Sequence, residues 1–417
     1  MMSAAAVRVS HPTGVLRGTA ILPASKSEAN RALIIRALSG QDFPIHNLSD
    51  ANDTQLLNRL LSTPAGAEVS AEDAGTVMRF LTAYYAVTGQ ELTLTGTPRM
   101  CQRPIGVLVE ALQTLGAKIE YLGQEGYPPL KMNGFEGTGT NQLTVRSDIS
   151  SQYISALLMV GPMLPQGLEL TLEGKISSEP YIRMTLAQMA HFGVQATFEG
   201  NRISVAPQQY QAKEYTVESD WSAASYWYSM VALAKDAEVL LPGLRQDSLQ
   251  GDSVLPTLMA PFGVQTEFTP EGVHLTRQAW QEPLARIDFF ACPDLAQTVA
   301  ALAAALEVEV EMTGLESLRI KETDRIAALQ FELVKLGAEL REVAPDVFKV
   351  FFQKQPENAP VIHTYEDHRM AMAFAPVALK KPVTIEEPKV VRKSYPRYWD
   401  ELQKAGFALE EVKSAQV

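Results

Sequence analysis

Lys321-Glu322-Thr323-Asp324-Arg325 packs two cations and two acids into one short stretch, directly ahead of an apolar run, Ile326, Leu329, Leu333 and Leu336, at helical spacing. The spacing predicts that a helix opens here. A helix N-terminus carries a partial positive charge and favours acids, yet Lys321 and Arg325 stand four apart, on one face of that helix. Either Glu322 and Asp324 neutralise them as solvated pairs worth ~0.2–0.5 kcal/mol each, or the cations converge on a phosphate or a carboxylate.

The same anomaly recurs. Lys26 and Arg31, Arg79, and Arg369 also stand at the openings of apolar helices, and this repetition favours an anionic substrate. Arginine grips a phosphate or carboxylate through parallel hydrogen bonds, whereas lysine is a point charge that also relays a proton. Ser27, Ser150, Ser151, Ser178 and Thr76 are hydroxyls suited to phosphate oxygens and equally suited to capping helices, and both roles hold together. Asp294, after Pro293 in an otherwise apolar stretch, is either an N-cap or, paired with Glu322, half of the acid and base that proton transfer requires. His368, inside Glu366-Asp367-His368-Arg369-Met370, either bonds its neighbouring carboxylates or takes part in catalysis. There is no HExxH, EF-hand loop, GxxxxGK[ST] or strand-linked GxGxxG. Neither a metal nor another cofactor is required.

The elements that must position these residues form a repeat. An amphipathic helix ends at a glycine and an alternating strand follows, at Gly116, Gly193, Gly263, Gly337 and Gly406, about 70 to 77 residues apart. A degraded copy, Leu56 to Val69, completes six. In each copy another, nearly continuous apolar helix is opened by polar residues: Ser25-Lys26-Ser27, Asp73-Ala74-Gly75-Thr76, Ser150-Ser151-Gln152, Asp220-Trp221-Ser222, Pro293-Asp294 and Asp367-His368-Arg369. Such helices are buried on most sides, so their N-termini are the polar parts, with orphan N–H groups able to meet an anion. Segments such as Leu92–Thr95, Leu168–Leu172 and Val308–Met312 alternate like half-exposed strands. The expectation is an α/β protein of two similar domains, three units in each, divided around Glu214–Asp220.

Composition bounds the function. The chain has 417 residues, 46% hydrophobic and 20% charged, enough for two full cores, and a formal net charge of −12 that speaks against a general nucleic-acid or membrane-surface binder. Two cysteines, Cys101 and Cys292, make no disulfide framework and fit a reducing cytosol. With no signal-peptide core and no long apolar span, a soluble cytoplasmic protein is expected. Asn52-Asp53-Thr54 matches a glycosylation acceptor by chance.

Ser25-Lys26-Ser27 with Arg31, Asp73-Ala74-Gly75-Thr76-Val77-Met78-Arg79, Pro98-Arg99-Met100 with Arg103-Pro104-Ile105-Gly106, Ser150-Ser151-Gln152, Lys321 to Arg325 and Asp367 to Met372 run in one order along nearly the whole chain. Together they resemble the enolpyruvylshikimate-phosphate synthase family. The resemblance implies transfer of the enolpyruvyl group of phosphoenolpyruvate to the 5-hydroxyl of shikimate 3-phosphate with release of phosphate, on the route to aromatic amino acids. It implies two domains, each of three βαβαββ repeats in an inside-out α/β barrel, hinged at a cleft: residues 24–219 in one, 1–23 with 220–417 in the other. By motif, Lys26, Ser27, Arg31, Ser150, Ser151, Ser178, Tyr181, Asp294 and Lys321 would hold shikimate 3-phosphate. Lys26, Gly75, Arg103, Gln152, Glu322, Arg325, Arg369 and Lys393 would hold phosphoenolpyruvate. Glu322 would protonate the methylene carbon, and Asp294 or Lys26 would accept the hydroxyl proton. A monomer without cofactors, inhibited by glyphosate, is also implied.

Three positions depart from the family's commonest pattern: Asp73 where Asn is frequent, Phe80 where Pro is, and Ser317 where Asn is. Asp73 adds negative charge near the implied phosphoenolpyruvate pocket. Two rivals remain, a sister enzyme acting on UDP-N-acetylglucosamine and a non-catalytic binder of anionic metabolites. The sister family carries a cysteine several residues before an arginine, whereas Cys101 lies two before Arg103.

Overall fold

Gly116, Gly193, Gly263, Gly337 and Gly406, the glycines that mark the repeat, all have positive φ. Each follows a helix and turns the chain into a strand in the left-handed conformation that only glycine adopts without strain. At Gly116 a side chain is excluded twice over, because a Cβ would lie 1.8 Å from the Glu136 carbonyl oxygen. These turns belong to a computed structural model that describes residues 5–137, 140–146, 150–176, 179–280, 286–354 and 356–412.

The strands that follow make sheets of one recurring pattern. Glu68–Ser70 pairs parallel with Glu91–Thr95, which pairs antiparallel with Leu130–Phe135, itself antiparallel to Ala117–Tyr121. The same sequence of one parallel and two antiparallel pairings recurs in the sheets built on Leu168–Glu173, Asp236–Pro242, Val310–Thr313 and Val383–Glu386. A sixth sheet is a single parallel pair, Ile45–His46 with Tyr215–Thr216, while the strand that ends the degraded copy, Glu68–Ser70, belongs to the sheet of Glu91–Thr95. Parallel neighbours need a crossover and local antiparallel ones a hairpin, so the sheets built on Glu91–Thr95, Leu168–Glu173 and Val310–Thr313 are each one contiguous βαβαββ unit. Burial alternates along Leu168–Glu173, with Leu168, Leu170 and Leu172 buried and Glu169 and Glu173 exposed, which gives this strand one wet face.

The chain divides into two compact units, Met1–Ala24 with Glu218–Val417, and Ser25–Val217. The N-terminal strands explain the discontinuous one. Ala6–Ser10 lies between Val383–Glu386 and Ala408–Val412, and Val15–Thr19 pairs with Asp236–Pro242.

Within each unit apolar helices are buried almost all round. Every residue of Trp221–Leu233 is buried except Ser222, and every residue of Ala296–Leu306 except Leu306. The apolar run from Met370 is a helix only to Phe374; Pro376 turns the rest into the 3-10 segment Ala375–Leu379, since proline lacks the N–H an α-helix needs. No helix among the described residues is long and apolar enough to cross a membrane.

One expectation about the charged stretch is corrected. Lys321 is not on the helix with Arg325. It ends the 3-10 segment Glu316–Ile320 in extended conformation, and the helix runs Arg325–Val334. Asp324 decides this boundary, because its carboxylate accepts from the N–H groups of both Ile326 and Ala327 at 3.1 Å.

Candidate active-site residues

In the Ser25–Val217 unit, the polar residues at helix openings are tied to one another. Ser25 caps the Lys26–Ser39 helix by accepting from Glu28 N–H, and Ser150 caps Ser151–Val160 through Gln152 N–H. Lys26 Nζ donates to Asp53 Oδ2 at 2.9 Å. Asp53 belongs to the triplet that matched a glycosylation acceptor. Its neighbour Thr54 donates to buried Asn30 Oδ1 at 2.8 Å, so Asp53 and Thr54 serve the interior while Asn52 is exposed.

Arg31 is drawn into the protein. Its guanidinium donates to Thr185 Oγ1 at 2.7 Å, Ser155 Oγ and the Ser27 carbonyl at 2.9 Å, and the Tyr181 carbonyl at 3.5 Å. It also stands 5.4 Å from the Phe80 ring and 5.8 Å from the Tyr181 ring. Burial lowers the Arg31 guanidinium to about 10. Arg79 likewise donates to backbone, to Gly75 O at 3.2 Å and Pro104 O at 2.9 Å, holding the segment that carries Arg103. Arg103 reaches the Asp73 carbonyl at 3.4 Å, and the Asp73 carboxylate accepts from Thr97. Gln152 Nε2 donates to Thr76 Oγ1 at 3.2 Å. Ser27 and Ser151 lie half-buried in the first turns of their helices, and Ser178 lies outside the described residues. Cys101 Sγ faces the Gly96 carbonyl at 3.7 Å.

In the other unit, a compact charge cluster surrounds Asp294. Asp294 does not cap a helix; it sits in the 3-10 turn Pro293–Leu295. Its Oδ1 accepts from Arg325 at 2.9 Å, with Lys321 Nζ 3.8 Å away, and its Oδ2 accepts from Arg369 at 2.8 Å. Arg325, 1% exposed, also donates to Glu322 at 3.0 Å and to Asp367 at 2.7 Å. Lys393 Nζ lies 3.6 Å from the other Glu322 oxygen. Asp367 caps its helix through Arg369 N–H at 2.9 Å, and His368 Nδ1 is 3.6 Å from Asp367 Oδ1. Ser317 is partly buried in the 3-10 segment Glu316–Ile320.

The electrostatics follow from this crowding. Burial works to raise the Asp294 carboxyl, but Arg369, then Lys321 and Arg325, outweigh it against the push of Glu322 and hold it well below the usual carboxylate range. Burial lowers the Lys321 ammonium, with Arg325 and Arg369 adding to it against Asp294 and Glu322. For Arg325 burial is overcome by Asp367, Glu322 and Asp294, and the guanidinium is held above its ordinary value. A half-buried carboxylate held low by three surrounding cations is suited to chemistry on anionic substrates. Among the described residues, no group of three or more His, Cys, Asp and Glu could hold a metal ion.

A family model described as EPSP synthase (3-phosphoshikimate 1-carboxyvinyltransferase) matches residues 57–402. The chain belongs to the EPSP synthase family. A relative from Bacteroides fragilis named 3-phosphoshikimate 1-carboxyvinyltransferase is 50% identical over 399 residues, 95% of this chain and 97% of that one. One of the same name from Neisseria meningitidis is 38% identical over 411 residues, 92% and 94% of the two chains. A solved EPSP synthase from Acinetobacter baumannii, 20% identical, has a TM-score of 0.74 over 97% of this chain and 99% of that one, and so shares the fold.

Several partners in this EPSP synthase family member escape sequence reading. Asp53, Ser155 and Thr185 hold Lys26 and Arg31, and Ser222 and Tyr226 face Arg369. Two of them left a signal: Ser222 in the polar helix opening Asp220-Trp221-Ser222, and Asp53, a carboxylate one residue into a helix, which the coincidental glycosylation pattern masked.

Proposed function

We propose that the protein is a 3-phosphoshikimate 1-carboxyvinyltransferase, which joins the 5-hydroxyl of shikimate 3-phosphate to C2 of phosphoenolpyruvate and releases phosphate. The 50% identity to the Bacteroides fragilis relative over nearly the full length supports the reaction. The single observation that carries the residue roles is Asp294, half-buried, with Arg325, Arg369 and Lys321 around it and Glu322 on the same arginine.

In this reading Lys26, Ser27, Arg31, Ser150, Ser151, Ser178, Tyr181, Asp294 and Lys321 serve shikimate 3-phosphate. Lys26, Gly75, Arg103, Gln152, Glu322, Arg325, Arg369 and Lys393 serve phosphoenolpyruvate. A carboxylate held far below neutrality is a weak base. Substrate anions that pair with Arg369, Arg325 and Lys321 withdraw those cations from Asp294, so binding itself raises the carboxylate toward a useful basicity. Asp294 or Lys26 then takes the hydroxyl proton as the oxygen attacks C2, while Glu322 delivers a proton to the methylene carbon. In the tetrahedral intermediate phosphate departs with its bonding electrons, and the Glu322 carboxylate recovers one methyl proton to restore the double bond. Fixed cations stabilise the charge on the departing phosphate.

The deciding measurement is phosphate release from phosphoenolpyruvate with shikimate 3-phosphate or UDP-N-acetylglucosamine as acceptor. Release is expected with the shikimate acceptor alone. Release only with the sugar nucleotide would select the sister activity, and none with either would leave a binder.

Gly75 supplies a second test. A Cβ there would meet Arg103 Nη2 at 2.7 Å and Nη1 at 2.9 Å. The obstacle is the far end of a flexible side chain, and alanine suits a helix better than glycine. Gly75→Ala is therefore expected to fold normally and to raise the KM for phosphoenolpyruvate about tenfold, the equivalent of ~1.4 kcal/mol, by pushing Arg103 aside. An unchanged KM would remove Arg103 from that pocket.

A further inference from the structure

Arg369 has contacts besides the one with Asp294. Its Nη2 donates to Asp294 at 2.8 Å and approaches Ser222 Oγ at 3.5 Å, and its Nη1 approaches Tyr226 OH at 3.4 Å. Ser222 Oγ in turn donates to Asp252 Oδ2. Asp252 sits in the 3-10 segment Gly251–Val254, is 2% exposed, and has no place in the reaction as derived above.

A serine hydroxyl has one hydrogen and two lone pairs. Because Asp252 takes the hydrogen, the lone pairs of Ser222 are turned toward the Arg369 N–H. Without that acceptor the hydroxyl rotates freely, and its hydrogen competes with the guanidinium donor for the same space. We propose that Asp252 is a positioning residue for enolpyruvyl transfer, acting through Ser222 to fix the Arg369 guanidinium and hence the anion it grips. The inference rests on the assignment of Arg369 to phosphoenolpyruvate.

The surroundings of Asp252 support this. Its other oxygen, Oδ1, is buried with no hydrogen-bond partner among the described residues, so Ser222 is the hydroxyl that this carboxyl serves. A buried carboxyl with so little compensation is costly to keep for packing alone. Asp294, Arg369 and Asp220 are the charged groups acting on it. Burial and then Asp294 raise it to about 7, against Arg369 and the Ser222 hydrogen bond, with Asp220 adding to the rise. Oδ2 retains a lone pair whether or not Oδ1 is protonated, so the orientation of Ser222 persists on both sides of neutrality.

The test is a double-mutant cycle on the full chain with separate KM values for the two substrates. Asp252→Ala and Ser222→Ala are each expected to raise the KM for phosphoenolpyruvate about tenfold, to leave that for shikimate 3-phosphate within about twofold, and to be no worse together than singly. Ser222→Thr, which keeps the hydroxyl, is expected to restore the wild-type KM, and it remains informative if Asp252→Ala does not fold. Equal rises in both KM values, multiplicative effects in the double variant, or an unchanged phosphoenolpyruvate KM would overturn the inference. Arg369→Ala separates the two levels. If it raises the phosphoenolpyruvate KM while Ser222→Ala does not, only the role of Asp252 fails; if Arg369→Ala has no such effect, the assignment of Arg369 fails and the role of Asp252 with it.

Discussion

Asp294→Asn is expected to lower kcat about 10³-fold, within the range for loss of a general base, while phosphoenolpyruvate binds as tightly as before or more tightly. The two effects separate because Asp294 competes with substrate for the same cations. Arg325 at 2.9 Å, Arg369 at 2.8 Å and Lys321 at 3.8 Å all face it. Removing its charge leaves the cluster more positive, which favours an anion in the ground state and removes the proton acceptor from the transition state. A residue that merely shaped the pocket would weaken binding instead. Steady-state kinetics with direct binding of phosphoenolpyruvate check this, and near wild-type turnover would exclude Asp294 as the base.

The same substitution has a signature in stability against pH. A carboxyl whose folded value is depressed contributes stability that is fully present above its unfolded value of about 3.9 and is lost as pH falls through the lower folded value. Asp294 is depressed by Arg369, Lys321 and Arg325 against the opposing pull of burial. The acid limb of the denaturation curve, below about pH 4, is therefore expected to be shallower in Asp294→Asn than in the wild type.

Glu322→Gln is expected to reduce kcat by about 10³-fold with phosphoenolpyruvate affinity intact. Glutamine keeps an oxygen for Arg325, which donates to Glu322 at 3.0 Å, so the arginine stays in place. What is lost is a proton for the methylene carbon. Protonation and its reversal at that carbon predict a second observable: in D2O the wild-type product acquires deuterium in its vinyl group. In Glu322→Gln that exchange is expected to fall with kcat. Retention of both turnover and exchange would move the acid role to another residue.

The repeat was legible in the sequence because it rests on local chemistry. A helix, a glycine in the left-handed conformation and an alternating strand are each set by a few neighbouring residues, and Gly116, Gly193, Gly263, Gly337 and Gly406 all turn with positive φ. The apolar helices behind Trp221 and Ala296 were legible for the same reason, since a helix without a polar face is buried. The boundary at Arg325 was misread. Lys321 and Arg325 have helical spacing, but Asp324 caps two N–H groups and starts the helix at Arg325.

The order of residues along the chain shows which types are at hand: cations at the heads of apolar helices, and an aspartate with no charged neighbour. Their partners are set by the fold in three dimensions. Asp294 is isolated along the chain, yet Arg325 is 31 residues away in sequence and Arg369 75, and both donate to it. Arg31, equally cationic on paper, is directed to Thr185 and Ser155. Ion pairs and hydrogen bonds depend on distance and direction in space, which spacing along the chain does not encode once the contact lies beyond one helical turn. The same physics makes Asp252 visible only through Ser222, one hydroxyl away from the arginine it orients.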